Sequence, residues 1–129
     1  MTKDEKIQLL YGDGKPPYTG HATGVPRLSI PDLNMNDGPQ GFRYEGANDT
    51  TTQMPAAIKV AASWNVDVAK LWGETMGKEF YGKGSNVQLG PGLNVNRIPI
   101  NGRNFEYLSG EDPYLGYTLV QPVVKGIQS

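Results

Sequence analysis

Two short runs of this sequence carry the residue types that grip a polyhydroxylated ligand. In "NDGPQGFR", Asp37 and Arg43 stand six residues apart around a Gly-Pro turn. A carboxylate accepts hydrogen bonds and a guanidinium donates them in fixed geometry, so such a pair, held close by a tight turn, suits the vicinal hydroxyls of a sugar. The same residues also make ordinary turn chemistry, with Asp37 capping the turn and Arg43 paired to it or to Glu45. In "NGRNFE", Arg103 and Glu106 repeat the two functions with Asn104 and Phe105 between them. There the arginine would clamp a ligand oxygen while the glutamate orients it, and Phe105 or Tyr107 would stack on an apolar sugar face. The alternative is a loop pinned by an Arg–Glu pair.

Other chemistry finds less support. The run from Gly77 to Lys83 has the glycine spacing of a phosphate-binding loop, but Gly84 stands where Ser or Thr belongs and the run follows a helix instead of a strand. His21 is the only histidine and lies in a Gly/Thr-rich stretch, where a solvated loop residue is expected. No metal site is expected, because the acids of "SGEDPY" do not follow a calcium-loop spacing and no second histidine exists. With no cysteine there is no disulfide and no thiolate nucleophile. Trp64 and Trp72 are expected in the core. One glycosylation triplet, Asn48-Asp49-Thr50, occurs in a polar run.

The elements that position these residues follow from periodicity. "DEKIQLLYGDG" reads as a short amphipathic helix stopped by Gly12, and "KPPYTGHATG" as a loop. "RLSIPDLNMND" alternates into a strand ending at Asn36 or Asp37, which places "NDGPQGFR" just beyond its C-terminal end. "PAAIKVAAS", residues 55 to 63, reads as a second buried strand. From Asn65 a helix is predicted, with Val68, Leu71, Trp72, Met76 and Phe80 at three- and four-residue spacing and a stop at Gly82 or Gly84. A third strand, "SNVQLG", precedes a loop of some 23 residues from Pro91 to about Pro113, and "YLGYTLVQPVVKGIQS" closes as a helix started or kinked at Pro122. A structureless loop of that length is more often functional than not.

The 129 residues fit one domain. Ten prolines and 17 glycines favour an α/β or β-rich fold with shaped loops over a helical bundle. A net charge of −1 with interspersed signs gives no footprint for nucleic acid or an anionic membrane, so neither is expected as a partner. "MTKDEKIQLL" lacks the apolar stretch of a signal peptide, and no run of about 18 apolar residues occurs, so the chain reads as soluble and unexported.

The succession "VPRLSIPDLNMNDGPQGFR", "AASWNVDVAKLWGETMGKEFYGKGSNVQLGP", "GRNFEYLSGEDPYLG" and "VVKGIQ" resembles the N-terminal domain of glycoside hydrolase family 3, especially its β-glucosidases, in order from about residue 18 to the end. The resemblance implies an α/β fold, the incomplete N-terminal part of a (β/α)8 barrel. Residues 1–17 would form a helix and lead-in, and residues 18–129 the first part of the barrel domain. By resemblance Asp37 holds the sugar's hydroxyls in the subsite where the bond is cut, Arg43 assists it, Arg103 contacts the same sugar and Glu106 supports Arg103. None of these is the nucleophile. The family's nucleophilic aspartate, its Lys-His sugar-binding pair and its acid/base glutamate all lie downstream of the last motif. The implied function is the N-terminal portion of a retaining exo-acting β-glucosidase, with this chain alone inactive and the rest of the barrel and downstream domains absent. A non-catalytic weak sugar binder or an inert product is the alternative. The implied partner is a β-glucoside or oligosaccharide substrate, no cofactor is implied, and an extracellular parent protein is expected by the same resemblance.

Overall fold

A computed structural model describes residues 1–44 and 50–129. Glu45, weighed as a partner of Arg43, and the first two residues of the Asn48 glycosylation triplet lie outside the described residues. The chain is a mixed α/β unit. Helix α1 (Lys3–Gln8) is followed by β1 (Gly20–Ala22), β2 (Leu33–Asp37), α2 (Ala57–Ala61), α3 (Val66–Gly82), β3 (Val87–Leu89) and α4 (Pro113–Ile127). The sheet order is β1-β2-β3. β1 lies antiparallel to β2, with His21 opposite Asn34, whereas β2 and β3 run parallel with Asp37 opposite Leu89. The parallel pair needs a crossover, which α2 and α3 supply. No helix among the described residues is long and apolar enough to cross a membrane.

Strands β2 and β3 and helices α3 and α4 match the periodicity of the sequence, whereas α2, β1 and the end of α1 depart from the reading. Residues 55–63, read as a strand, contain helix α2, whose buried Ala57, Val60 and Ala61 repeat at helical spacing. A short apolar run does not declare its period, and the flanking alanines favour helix. β1 occupies part of the stretch read as loop. α1 ends before Gly12, capped at Leu9, and buries none of its residues; Thr2 and Glu5 form a capping box at its start. α4 begins at Pro113 behind the Asp112 N-cap and runs through Pro122.

The core joins Trp72 and Met76 of α3 to Leu119 and Val123 of α4, with Met54, α2 and Leu108 packed around them. α3 turns Ala69, Trp72, Gly73, Met76 and Phe80 inward, while Val68 and Leu71, expected on that face, are exposed. Gly73, Gly77 and Gly126 let the two helices touch backbone to backbone. A Cβ on Gly73 would lie 2.3 Å from the Val123 carbonyl oxygen, and one on Gly126 2.6 Å from that of Lys70. Trp72 is in the core as expected, but Trp64, in the link between α2 and α3, is 72% exposed.

His21 is the largest departure from the sequence reading. Its side chain is 1% exposed and lies between two carboxylates, with Nδ1 hydrogen-bonded to Asp13 and Nε2 3.1 Å from Asp32 Oδ2. Asp32 also accepts from the Gly24 amide at 2.8 Å and Lys15 Nζ at 2.9 Å, and Asp13 accepts from Thr23 Oγ1 at 2.6 Å. The cluster fastens the lead-in to the edge of the sheet. The carboxylate of Asp13 foremost, seconded by Asp32, raises the His21 pKa against the opposing effect of burial. The Gly24 amide, then Lys15 and His21, hold Asp32 well below the usual carboxylate range. Stability from His21 is therefore complete below its unfolded pKa of about 6.5 and is lost as pH rises through the higher folded value. Stability from Asp13 and Asp32 is present above about 3.9 and lost as pH falls through their depressed values. Urea unfolding from pH 5 to 9 is expected to show wild-type stability falling on the alkaline side, with His21→Gln lower throughout and flat over that range.

Candidate functional site

Asp37 ends β2, so its side chain stands at the C-terminal edge of the parallel pair, where α/β folds collect their ligand-binding residues. The following turn folds back tightly: the Gly38 amide donates to the Gly41 carbonyl at 3.1 Å and the Arg43 amide to the Asp37 carbonyl at 3.0 Å. Gly41, at φ +114°, occupies backbone space that a side chain would not accept. This return brings Arg43 Nη1 within 3.6 Å of Asp37 Oδ2, both side chains remaining open to solvent. Phe42 between them is buried and meets Phe80 of α3 edge to face, with ring centroids 5.2 Å apart. The arginine is thus carried on an anchored residue.

The long segment after β3 supplies the second pair. It has internal structure after all: a 3-10 turn at Asn104–Glu106 and a parallel bridge between Gly92 and Tyr107. Further staples are Asn96 N–H to the Gly110 carbonyl at 2.7 Å and Ser109 Oγ to the Leu93 carbonyl at 2.6 Å. The turn closes Arg103 onto Glu106, with Nε donating to both carboxylate oxygens at 3.0 Å and Nη2 to Oε2 at 2.8 Å. Glu106 is the more enclosed partner, its side chain 13% exposed against 69% for Arg103, and it raises the arginine's already high pKa further. The guanidinium is therefore a fixed cation facing solvent.

Asp37, Arg43, Arg103 and Glu106 all line one open cavity of about 680 Å³. The structure thus brings together the four residues singled out from the sequence, across 70 residues of chain. Gln40, Tyr44 and Thr51 to Gln53 complete the wall and were not anticipated. The last of these are seated by long-range bonds, Met54 N–H to the Gln40 carbonyl at 3.0 Å and Thr52 N–H to Glu79 Oε1 at 2.8 Å, which no local pattern announces. Phe105, offered as a stacking platform, is half exposed and is not part of this wall. Among the described residues no three His, Cys, Asp or Glu side chains are arranged so as to hold a metal ion. Two carboxylates, Asp37 and Glu106, and two guanidiniums, Arg43 and Arg103, thus present hydrogen-bond acceptors and donors around one open, polar cavity.

Comparison with known proteins places this architecture. The family model "Glycosyl hydrolase family 3 N terminal domain" matches residues 21–129. A beta-glucosidase of Bacteroides ovatus is 45% identical over 99% of this chain, and a probable beta-glucosidase A of Emericella nidulans 42% identical over 99%. Among solved structures, beta-glucosidase 3B from Thermotoga neapolitana in complex with glucose superposes with a TM-score of 0.88 at 36% identity over 99% of the chain. The beta-glucosidase DesR from Streptomyces venezuelae in complex with D-glucose gives 0.92 at 38% identity over 99%. The chain spans only 18% and 15% of the two curated relatives and 20% and 16% of the two solved chains. With the model matched from β1 to the last residue, the chain belongs to glycosyl hydrolase family 3, in its N-terminal domain.

Proposed function

We propose that this chain supplies the first part of a (β/α)8 barrel, and with it part of the sugar-binding subsite, in a retaining exo-acting β-glucosidase. β2 with α2 and α3, then β3 with α4, would be successive strand-and-helix units of that barrel. The observation that carries the reading is the convergence of Asp37, Arg43 and Arg103 on one cavity at the C-terminal edge of two parallel strands. Asp37 accepts hydrogen bonds from two hydroxyls of the terminal glucose, Arg43 and Arg103 donate to its oxygens, and Glu106 keeps Arg103 aimed. Their work is positioning: the anomeric carbon is held where attack and leaving-group protonation meet it. Retaining hydrolysis requires a nucleophilic carboxylate and an acid/base carboxyl about 5 to 5.5 Å apart. Asp37 lies 3.6 Å from Arg43 and Glu106 2.8 Å from Arg103, so both carboxylates are engaged with arginines, and by the family resemblance the nucleophile and the acid/base come from further chain.

The energetics set what these residues can do alone. Hydrogen bonds to charged groups contribute about 1.5 to 3 kcal/mol each. Immobilising a ligand costs about 4 to 15 kcal/mol, which offsets most of what a few such bonds contribute and makes weak affinity, about millimolar, the expected outcome. Ligand-observed saturation-transfer NMR is expected to detect glucose at millimolar concentrations, and p-nitrophenyl β-glucoside is expected to remain intact with this chain alone. Turnover would overturn the assignment of catalysis to further chain; absence of any glucose signal would overturn the sugar site.

Glu106→Gln keeps the shape of the support and removes its charge, so glucose affinity is expected to weaken about 3- to 10-fold. Arg103→Ala removes the donor itself and is expected to weaken it at least about 10-fold. Saturation-transfer titrations of the two variants provide the comparison.

A further inference from the structure

Asn36 precedes Asp37 on β2 and is wholly buried. Its side-chain amide spends every main hydrogen-bonding option on the surroundings of the site: Nδ2 donates to the Arg43 carbonyl at 3.0 Å and the Pro17 carbonyl at 3.3 Å, while Oδ1 accepts from Thr19 Oγ1 at 3.3 Å. Residue 43 is consequently held at both ends. Its amide is bound to the Asp37 carbonyl and its carbonyl to the neighbouring side chain on the same strand. We propose that Asn36 is a positioning residue that closes the Asp37–Arg43 turn into a ring of fixed span and thereby sets the separation of the two sugar-gripping side chains.

The inference rests on the sugar-binding reading above, and it extends that reading to a residue that touches no ligand. With no exposed surface, the Asn36 side chain has no path to a sugar and reaches the site through the Arg43 carbonyl it holds. Removal of the amide takes away its 3.0 Å bond to the Arg43 carbonyl and gives the arginine a wider range of positions. The outer partner, Thr19, is exposed; its hydroxyl donates to Oδ1 at 3.3 Å, which leaves Nδ2 for the two carbonyls, and accepts from the Asp37 amide at 3.4 Å.

The test compares Asn36→Leu, Thr19→Val and Thr19→Ser in the 129-residue chain, reading the hydrogen-exchange rate of the Arg43 amide without sugar and the glucose affinity by saturation transfer. Asn36→Leu is expected to speed Arg43 exchange at least about 10-fold and weaken glucose by a similar factor. Thr19→Val shifts both in the same direction by about 2- to 5-fold, and Thr19→Ser, which retains the hydroxyl, returns both to wild-type values. Should Asn36→Leu fail to fold, the two Thr19 variants decide, because that side chain is exposed. Unchanged Arg43 exchange in Thr19→Val and in any folded Asn36→Leu overturns the proposal. A wild-type chain that binds no glucose overturns the sugar site instead, and the sugar-free exchange rates still decide whether Asn36 fixes the turn.

Discussion

Replacing Asp37 with alanine is expected to remove measurable glucose binding while leaving the fold intact. Among the three residues proposed to grip the sugar, Asp37 is the one acceptor of full charge, and Arg43 and Arg103 offer only donors. Losing hydrogen bonds to two sugar hydroxyls, at about 1.5 to 3 kcal/mol each, corresponds to roughly a hundredfold or more in affinity. From a millimolar starting point that lies beyond titration. Stability is expected to change by less than about 0.5 kcal/mol, because the side chain is 42% exposed and the bond from the Arg43 amide goes to the Asp37 backbone carbonyl, which the substitution keeps. Saturation-transfer NMR and urea unfolding of the same preparation separate the two effects. Retained binding in the variant would take Asp37 out of the site.

The second large effect belongs to the seam between α3 and α4. Gly73→Ala would place a methyl group 2.3 Å from the Val123 carbonyl oxygen and 3.1 Å from Val123 Cα. Both neighbours are helical backbone, so the relief must come from separating the helices. That movement loosens Trp72 and Met76 from Leu119 and Val123, the centre of the core. A destabilisation of about 3 kcal/mol or more is expected, at the upper end of what overpacking costs. Gly82→Ala is the matched control, since nothing lies within 4 Å of a Cβ there and the same change at the end of the same helix is expected to stabilise by up to about 1 kcal/mol. Urea unfolding of both variants gives opposite signs if the close approach, and not glycine content, governs the seam.

How much of this was legible in the sequence depends on how local each signal is. β2 and its polar C-terminal turn were readable because Leu33 and Met35 alternate and "NDGPQG" ends the strand abruptly. α3 was readable from spacing, though the wrong stripe was chosen in part: Ala69 and Gly73 are buried, Gly73 against α4, and small size leaves no mark in a hydrophobic pattern. α2 was misread because Ile58 and Val60 are good strand formers and the helix is one turn and a half long. β1 and the burial of His21 were invisible for a different reason. A three-residue strand has no period, and the histidine is enclosed by acids 8 and 11 residues away that converge only after β1 pairs with β2. At the site, Asp37, Arg43, Arg103 and Glu106 carried their chemistry in their types. Asn36 and the wall at residues 51–53 matter through where their hydrogen bonds land, which is decided by the tertiary structure.

The two flanks of the sheet are unequal, and this gives the unit a polarity of assembly. On the β1 side the Asp13 amide already takes the His21 carbonyl at 2.9 Å, so the lead-in seals that margin. On the β3 side, among the described residues, no strand occupies the outer margin. The β3 side is therefore the margin open to a further strand, from a neighbouring segment or from another molecule.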